Sequence, residues 1–209
     1  VEEDLKIIET VAPDLIVGDF RLSLSVSARL AGIPYVNITS AYWSPYSKPH
    51  YRVPELPMVD IMGVAAANFM FNLVRPIAFA THTRPLNSVR KHYGLPSLGL
   101  NLGRIYTDAD TVLYADLPEL VPTYDRPATH QYIGPINWSP SVDLPEWWAD
   151  LPEDKPVIYI TLGSSGQTKV LPKILEAIAG LPVYGVVASG GRADAMDIPG
   201  NVSVTDFLP

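Results

Sequence analysis

The sequence lacks cysteine altogether among its 209 residues. This absence excludes a disulfide-stabilised scaffold, a thiolate metal site and a cysteine nucleophile. Basic residues are also scarce, because 15 Lys and Arg stand against 22 Asp and Glu, for a net charge of −7. No basic stretch offsets that balance, which argues against a nucleic-acid partner.

Long hydrophobic runs are missing too. The most apolar window, Ile61 to Ala80, is interrupted by Asn68, Asn72, Arg75 and Pro76, so we expect no membrane-spanning segment. No G-x-G-x-x-G follows a predicted strand, which argues against a plain NAD-binding Rossmann domain. The chain begins at Val1 with neither a methionine nor a signal peptide and enters a helical pattern at once, so we expect upstream sequence to be missing.

The first forty residues have the pattern of a β-α-β unit. An amphipathic helix is predicted over 2–11, and the apolar run 14–18 predicts a buried parallel strand. Helical spacing over 23–31 ends at Gly32, a typical C-terminal cap, and 34–38 predicts the next strand. Short joints between such elements are typical of a doubly wound α/β sheet.

The middle of the chain combines a long loop with helices. Residues 39–58 form an aromatic- and proline-rich loop that is too long for a simple connection. Residues 61–93 predict one or two helices with a break near Arg75-Pro76, and 94–103 predict a loop. Two further short strands are predicted at 111–115 and 131–134.

A second β-α-β pattern follows a region rich in proline, tryptophan and acids. We divide the chain into an N-terminal Rossmann-like domain (1–137, incomplete at its start), a linker (138–155) with one short helix near 145–149, and a truncated second domain (156–209). In the second domain we predict a buried strand, a helix and two more strands, at 157–161, 168–179, 183–188 and 202–204.

The segment PVIYITLGSSG (156–166) is the most informative stretch of the chain. A strand that runs through a Gly-Ser turn into a helix leaves free backbone N–H groups at the helix start, where a phosphate binds well. The alternative is a plain strand-helix joint with a serine cap. The segment therefore predicts a phosphorylated ligand, with a nucleotide as the first choice.

Five stretches together resemble a known family. In order, they are PDLIVGDF with ARLAGIPYVNI, LNSVRKHYGLP, TVLYADLPELVP, QYIGPI, and PVIYITLGSSG through VYGVVASGG to VSVTDFLP. Their order and spacing resemble family 1 glycosyltransferases of the GT-B fold, close to bacterial enzymes that glycosylate macrolides and other natural products. The resemblance extends over nearly the whole chain and matches the middle of such an enzyme.

The resemblance implies two Rossmann-like domains, the first for the acceptor and the second for the nucleotide sugar. It implies an inverting transfer to a hydroxyl of a small hydrophobic acceptor, without metal or cofactor, from a UDP- or dTDP-sugar. It also implies a cytoplasmic protein. The sugar, the nucleotide, the acceptor and the oligomeric state stay open.

By the same resemblance, Asp19 matches the aspartate that orients the family's catalytic histidine. The histidine itself has no match, because in the family it lies upstream of anything present in this sequence. We assign the role of base to none of the four histidines, His50, His82, His92 and His130, and expect surface or packing roles for them, with contact to an acceptor as the alternative for His50 in the long loop. The alternative for Asp19 is a cap on the following helix.

The donor side is matched by Gly163, Ser164 and Ser165, which correspond to the family's phosphate-binding turn. Phe207 lies where the family has an aromatic residue against the nucleotide base, with core packing as its alternative. Gly190, Gly191 and Arg192 are further candidates for lining this cleft.

The acceptor side is matched by the long loop, whose aromatic residues suit a flat or hydrophobic aglycone. We assign Tyr42, Trp43, Tyr46 and His50 to the acceptor pocket, with Tyr51 beside them. The alternative is that these rings cover the core or a partner surface.

The family's His-Gly-Gly box would lie beyond Pro209, so we expect the isolated chain to be inactive. Two other hypotheses remain. One is a GT-B relative that serves as a non-catalytic binding or accessory module, and the other is an enzyme of related fold such as a nucleotide-sugar epimerase.

Overall fold

A computed structural model describes residues 1–138, 141–163, 168–192 and 196–209. The chain divides into two compact units, Val1–Ile136 (unit 1) and Asn137–Pro209 (unit 2). Each unit is α/β and carries one parallel sheet, so the predicted α/β class is confirmed.

Unit 1 alternates helices and strands along most of its length. Its elements are α1 (Glu2–Val11), β1 (Ile16–Asp19), α2 (Leu24–Ala31), β2 (Tyr35–Thr39), α3 (Pro57–His82), α4 (Arg84–His92), α5 (Leu102–Tyr106), β3 (Thr111–Tyr114) and β4 (His130–Tyr132). A single 3-10 turn, Ala41–Trp43, follows β2. The short helix α5 falls in and beyond the predicted loop 94–103, which the sequence analysis did not anticipate.

The four strands of unit 1 are parallel and lie in the order β1-β2-β3-β4. One core cluster joins Ile8 of α1, Ile16 of β1, Ala28 of α2 and Tyr35 of β2. The prediction that 14–18 is a buried strand was correct for Ile16 and Gly18 and wrong for Val17, which is exposed, and for Asp14 and Leu15, which are exposed and precede β1. Because β1 lies at the edge of this sheet, only its face toward α1 and α2 is packed.

The predicted helix break at Arg75-Pro76 was wrong. Helix α3 runs through Pro76, and its non-helical residue is Gly63, whose φ of 77° is one that glycine adopts without strain. Pro76 removes one backbone donor, but the turn before it is held by side-chain bonds from Asn72 Nδ2 to the Asn68 and Tyr51 carbonyls. The two predicted helices therefore separate at Thr83 instead.

Unit 2 contains a smaller sheet of three parallel strands in the order β5-β6-β7. Its elements are β5 (Val157–Thr161), α6 (Leu171–Ala179), β6 (Tyr184–Ala188) and β7 (Val202–Thr205), with 3-10 turns at Glu146–Asp150 and Thr168–Val170. The core cluster is aliphatic and comprises Leu171, Leu175, Ile178, Val187 and Val202.

Strand β5 forms where predicted, but the expectation that it is buried was wrong. Val157, Ile158 and Tyr159 are all exposed. β5 is an edge strand, and α6 packs mainly over β6 and β7, so a run of β-branched residues here indicates strand propensity rather than burial.

By length and composition alone, the stretch Pro57–His92 is apolar and long enough to cross a membrane, and 6% of the tested window is buried. No more than that follows from a single helix of this kind. The exposure of its apolar residues is nevertheless unusual for a globular protein.

Candidate functional site

The carboxyl ends of parallel strands are where open α/β sheets bind ligands. In unit 1 the strands end at Asp19, Thr39, Tyr114 and Tyr132, so the segments that follow these residues form the candidate site. In unit 2 the corresponding segments follow Thr161, Ala188 and Thr205.

Asp19 is the last residue of β1 and is exposed to solvent. Its carboxylate forms no hydrogen bond or ion pair with any residue that the structure describes. Helix α2 is preceded by Ser23 and has no side-chain cap, so the alternative role of Asp19 as a helix cap is not what the structure shows. Asp19 is thus a carboxylate at the strand end that is available to another group.

The turn after Asp19 is tightly specified. Phe20 adopts a φ of 48°, donates its N–H to the Ile38 carbonyl at 3.0 Å, and places its ring 4.7 Å from that of Tyr106. Just before it, a Cβ on Gly18 would lie 2.6 Å from Leu24 Cδ1, so only glycine fits there without movement. These contacts fix the backbone that carries Asp19.

The loop after β2 is held by polar contacts at its start. Ser40 Oγ accepts a hydrogen bond from the Tyr42 N–H at 3.2 Å, and the Asp116 carboxylate accepts one from the Ala41 N–H at 2.5 Å. Asp116 follows β3, so the two loops at this edge of the sheet are tied together. The start of the aromatic loop is therefore ordered rather than a free connection.

The aromatic residues of that loop form one cluster with α3 and α5. The ring of Trp43 lies 5.2 Å from Tyr42, 5.5 Å from Tyr106 and 6.4 Å from Phe79, and Tyr51 lies 5.3 Å from both Tyr42 and Phe79. Mostly edge-on contacts at these separations are the favourable arrangement for aromatic rings.

Two cavities border this cluster. One of about 280 Å³ is lined by Tyr42, His50, Leu120 and Tyr124 among others, and one of about 310 Å³ is lined by Trp43, Tyr51, Arg75 and Phe79 among others. Three of the four residues that we assign to the acceptor pocket therefore border a cavity. The volumes of the two cavities are at the lower end of those that hold small molecules.

Tyr46 borders neither of these cavities. Its ring lies 5.2 Å from the ring of His130, and its carbonyl accepts a hydrogen bond from the Tyr124 N–H at 2.9 Å. For Tyr46 the structure therefore shows the alternative, a ring that packs on the buried His130.

A buried chain of polar side chains was also missed. The Tyr114 hydroxyl lies 2.7 Å from Ser44 Oγ and 2.6 Å from His130 Nδ1, so it links the aromatic loop to β3 and β4. Burial raises the pKa of Tyr114 to about 12, and burial together with the Arg126 charge lowers the pKa of His130. The sequence signal that was available for this contact is the presence of a tyrosine and a histidine at strand positions that face the core.

The other three histidines are exposed. His82 Nδ1 bonds the Ala78 carbonyl at 2.7 Å within α3, and His92 stacks edge-on against Tyr93 at the end of α4. His50 borders the 280 Å³ cavity. Within the described part of the chain, no histidine is hydrogen-bonded to Asp19, and no group of three or more His, Asp or Glu is placed to hold a metal ion.

In unit 2, hydrogen bonds connect the segments that follow the three strands. The Arg192 guanidinium donates to the Gly163 carbonyl after β5 and, from Nε, to the Ser189 carbonyl after β6 at 3.3 Å. Ser189 Oγ donates to the Asp206 carboxylate after β7 at 3.1 Å. Gly163 and Arg192, both predicted to lie at the donor cleft, are therefore brought together.

Three glycines and one aromatic residue at this edge are candidates for contact with a ligand. Gly163, Gly190 and Gly191 have φ values of 63°, 62° and 75°, which glycine adopts without strain. Phe207 is 56% exposed, so the alternative of core packing does not apply to it. Ser164 and Ser165 lie outside the described residues.

Comparisons with known proteins match the whole chain. It is 51% identical over all 209 residues to a PGL/p-HBAD biosynthesis rhamnosyltransferase of Mycobacterium bovis and to a PGL/p-HBAD biosynthesis glycosyltransferase of Mycobacterium tuberculosis, covering 46% and 49% of them. An inactive PGL/p-HBAD biosynthesis glycosyltransferase of M. bovis is 52% identical over 178 residues. The chain thus spans about half the length of the curated relatives it matches. No protein-family model matches it.

Solved structures show the same fold. The glycotransferase of kitacinnamycin matches 97% of the chain with a TM-score of 0.59 at 22% identity, over 50% of its own length. The glycosyltransferase VinC, solved in complex with dTDP, matches 100% of the chain with a TM-score of 0.53 at 20% identity, over 48% of its own length. These matches confirm the GT-B fold and the resemblance to family 1 glycosyltransferases.

Proposed function

We propose that the chain is part of a glycosyltransferase that moves a sugar from a nucleoside diphosphate sugar to a hydroxyl of a small hydrophobic acceptor. The observation that carries the proposal is the 51% identity along all 209 residues to relatives named as a rhamnosyltransferase and a glycosyltransferase. Identity at this level over so long a match is best explained by shared chemistry.

In the proposed reaction, the acceptor oxygen attacks the anomeric carbon as the bond from that carbon to the diphosphate oxygen breaks. The acceptor proton passes to a histidine base, and Asp19 orients that base and stabilises its charged form. The exposed, unpaired carboxylate of Asp19 at the end of β1 is suited to this role. Attack opposite the leaving group inverts the anomeric centre.

The diphosphate leaving group needs its growing negative charge met by fixed dipoles. We assign this role to the turn of Gly163, Ser164 and Ser165, with Phe207 against the nucleotide base. The positive φ values of the glycines, the Arg192 link to the Gly163 carbonyl and the exposure of Phe207 support the donor site. The proposal requires no metal ion and no cofactor.

On the acceptor side we propose that Tyr42, Trp43 and His50 border the bound aglycone. The two cavities beside the aromatic cluster support this assignment. Tyr46 does not border the aglycone. It supports the loop that forms the pocket, through its ring contact with His130 and the hydrogen bond that its carbonyl accepts from the Tyr124 N–H.

A second candidate is a non-catalytic binding module. One relative that is 52% identical over 178 residues is named as inactive, so high identity is compatible with a lost activity. Under this candidate the chain binds a nucleotide sugar or an acceptor without turnover. For the isolated 209-residue chain, both candidates predict that no sugar is transferred.

Thermal unfolding with added nucleotides tests the donor proposal. We expect dTDP or UDP at about 100 times its Kd to stabilise the protein by about 2.7 kcal/mol, since binding adds RT ln(1 + [L]/Kd). Phe207→Ala is expected to weaken that response. Leu181→Ala, at a position of unit 2 that is 50% exposed against 56% for Phe207, is the matched control. If the nucleotide stabilises both variants equally, Phe207 is not part of the donor site.

Turnover with a phenolic acceptor tests the catalytic proposal, in a longer protein that contains this chain. Asp19→Asn is expected to lower kcat by about 10²- to 10⁴-fold, the usual range for acid–base machinery. Asp14→Asn is the control, because Asp14 is another exposed aspartate next to β1. Nucleotide binding without turnover in the unmodified longer protein would favour the binding module.

A further inference from the structure

The turn that follows Asp19 contains a strained backbone conformation. Phe20 adopts a φ of 48°, in the left-handed region that residues other than glycine rarely enter. A residue persists there only when its neighbours hold it, and such residues are frequent at active sites. The Asp19 carboxylate has no hydrogen bond or ion pair among the described residues, so the backbone of this turn sets its direction. The contacts that hold the turn therefore bear on the candidate site.

Arg21, the residue after Phe20, is held on two sides. Its guanidinium Nη2 donates to Asp4 Oδ1 of α1 at 2.7 Å. Its carbonyl accepts from the Tyr35 hydroxyl at 3.4 Å and from the Leu24 N–H at 3.2 Å. The Arg21 side chain is 59% exposed, but the Asp4 side chain is only 5% exposed. An ion pair between two exposed groups contributes little, whereas a buried carboxylate depends on its partners.

The Asp4 carboxylate connects α1 to two different parts of unit 1. Ser27 Oγ of α2 donates to Asp4 Oδ2 at 3.2 Å, while Oδ1 accepts from the arginine of the turn. Burial raises the pKa of this carboxyl, but hydrogen bonds from Ser23, Arg21 and Ser27 outweigh burial and lower it, so the group is ionised at neutral pH. One oxygen thus packs two helices together, and the other holds the turn after β1.

We propose that Asp4 and Arg21 are positioning residues, whose ion pair holds the strained turn at Phe20 and thereby directs the Asp19 carboxylate toward the histidine base. This inference rests on the role of Asp19 in the proposed function. The alternative role of Asp4 is to pack α1 on α2 through Ser27. The two roles use different oxygens of the same carboxylate, so substitutions at Arg21 and at Ser27 separate them.

Turnover of a longer protein that contains this chain tests the positioning role. Arg21→Gln and Asp4→Asn are expected to lower kcat by about tenfold to a hundredfold at unchanged KM for the nucleotide sugar, since a small displacement of a catalytic group has an effect of this size. The acid limb of the pH–rate profile should move to lower pH, as in Asp19→Asn, because a displaced carboxylate raises the pKa of the histidine less. Arg21→Lys, which keeps the positive charge, should recover part of both changes.

Two variants are matched controls. Ser27→Ala removes the bond between α2 and the Asp4 carboxylate and leaves the Arg21 pair in place. Arg29→Gln removes another partly exposed arginine that pairs with a buried aspartate, Asp108, which precedes β3 at the amino ends of the strands. Both controls are expected to lower the free energy of unfolding without moving the acid limb. A purely structural role of Asp4 would give the same result for Asp4→Asn.

Amide-resolved hydrogen exchange in the same longer protein needs no turnover. The Phe20 N–H donates to the Ile38 carbonyl at 3.0 Å, so its exchange rate measures how often the turn opens. In Arg21→Gln we expect this amide to exchange about tenfold faster or more, with a smaller change at the β2 amides. Ser27→Ala should change the Phe20 and β2 amides to the same extent, because it affects the whole unit.

The outcomes separate this inference from the proposed function. If Asp19→Asn moves the acid limb and Arg21→Gln does not, the positioning role is wrong and the proposed function stands. If Asp19→Asn changes neither kcat nor the acid limb, the proposed role of Asp19 is wrong and the positioning role fails with it. If the longer protein has no turnover, an unchanged Phe20 exchange rate in Arg21→Gln overturns the inference, and a faster rate supports it.

Discussion

The two units bury different kinds of side chain. Unit 1 has small apolar clusters and many buried polar residues, including Asp4, Asn37, Thr83, Arg90 and His130. Unit 2 has one aliphatic cluster, and Ser189 is the buried polar residue among those described in it.

The difference follows from how each unit presents its strand ends. In unit 1 the groups at the candidate site are side chains on long loops, which buried polar contacts such as Ser44–Tyr114–His130 hold in place. In unit 2 the candidate site consists largely of backbone turns at glycines, which lie at the end of a sheet with an aliphatic core. The contrast can be tested by the free energy of unfolding that is lost when each kind of contact is removed.

The largest effect is expected at the buried ion pair of unit 1. Arg90 is 2% exposed and bonds the Asp108 carboxylate at 2.5 Å and the Pro96 carbonyl at 2.7 Å. Asp108→Ala leaves the Arg90 charge buried without its partner, so the free energy of unfolding should fall by about 3–5 kcal/mol. Urea unfolding with hydrogen exchange at the β1–β4 amides measures this loss.

The control for that pair is the double variant Asp108→Leu with Arg90→Met, which removes both buried charges. It leaves Arg29, the second partner of the Asp108 carboxylate, with a side chain that is 32% exposed and so in contact with water. A buried ion pair replaced by apolar residues is often close to neutral, so this variant should lose much less than Asp108→Ala. If both variants lose the same amount, the cost arises from packing and not from an uncompensated charge.

The next largest effect is expected in the aliphatic core of unit 2. Leu175 is fully buried on α6, and Leu175→Ala should cost about 3 kcal/mol through lost burial and the cavity it leaves. Leu181→Ala, at an exposed position, should cost less than about 1 kcal/mol. Hydrogen exchange at the β6 and β7 amides measures the loss of stability in both variants. A small loss for Leu175→Ala would show that unit 2 is loosely packed.

A smaller effect is expected at the buried Tyr114 hydroxyl. Tyr114→Phe leaves Ser44 Oγ and His130 Nδ1 without this partner, at a cost of about 1–3 kcal/mol. Tyr124→Phe, which alters an exposed ring, should be within about 0.5 kcal/mol of the unmodified chain. Similar losses in the two variants would mean that the buried contacts do not stabilise the aromatic loop.

Much of the fold was predictable because its elements have strong local signals. Helix 2–11 and the αL cap at Gly32, with φ 69°, came directly from periodicity and from the glycine. Burial was predicted less well, since Val157–Thr161 has the composition of a buried strand and is nevertheless an exposed edge. Strand composition reports propensity, and the strand's place in the sheet decides burial.

The positions of the candidate site residues were predicted in part. The position of Asp19 at a strand end follows from the β-α-β pattern, but that its carboxylate is unpaired depends on side chains distant in sequence. The Arg192 link to Gly163 joins residues 29 apart, and the Tyr114–His130 contact joins two strands. Sequence spacing does not determine contacts of this kind.

The pH dependence of unit 1 is expected to be modest. Burial and the Arg126 charge lower the pKa of His130 below its ordinary 6.5, so below that pH the unfolded chain binds more protons than the folded one. The free energy of unfolding therefore falls as pH decreases from 6.5 toward the folded-state pKa of His130. His130→Gln should flatten this part of a urea-midpoint profile, whereas the exposed His82→Gln should leave it unchanged.

The smallest effect is expected on the exposed edge of unit 2, where one substitution can be compared at two sites. Val157→Thr on β5 places a hydroxyl in water and should change the free energy of unfolding by no more than about 0.5 kcal/mol. Val187→Thr, the same change on buried β6, places that hydroxyl in the aliphatic cluster and should cost about 1–3 kcal/mol. If Val157→Thr costs as much as Val187→Thr in urea unfolding, the outer face of β5 is covered in solution, and the contrast between an exposed edge and an aliphatic core would fail there.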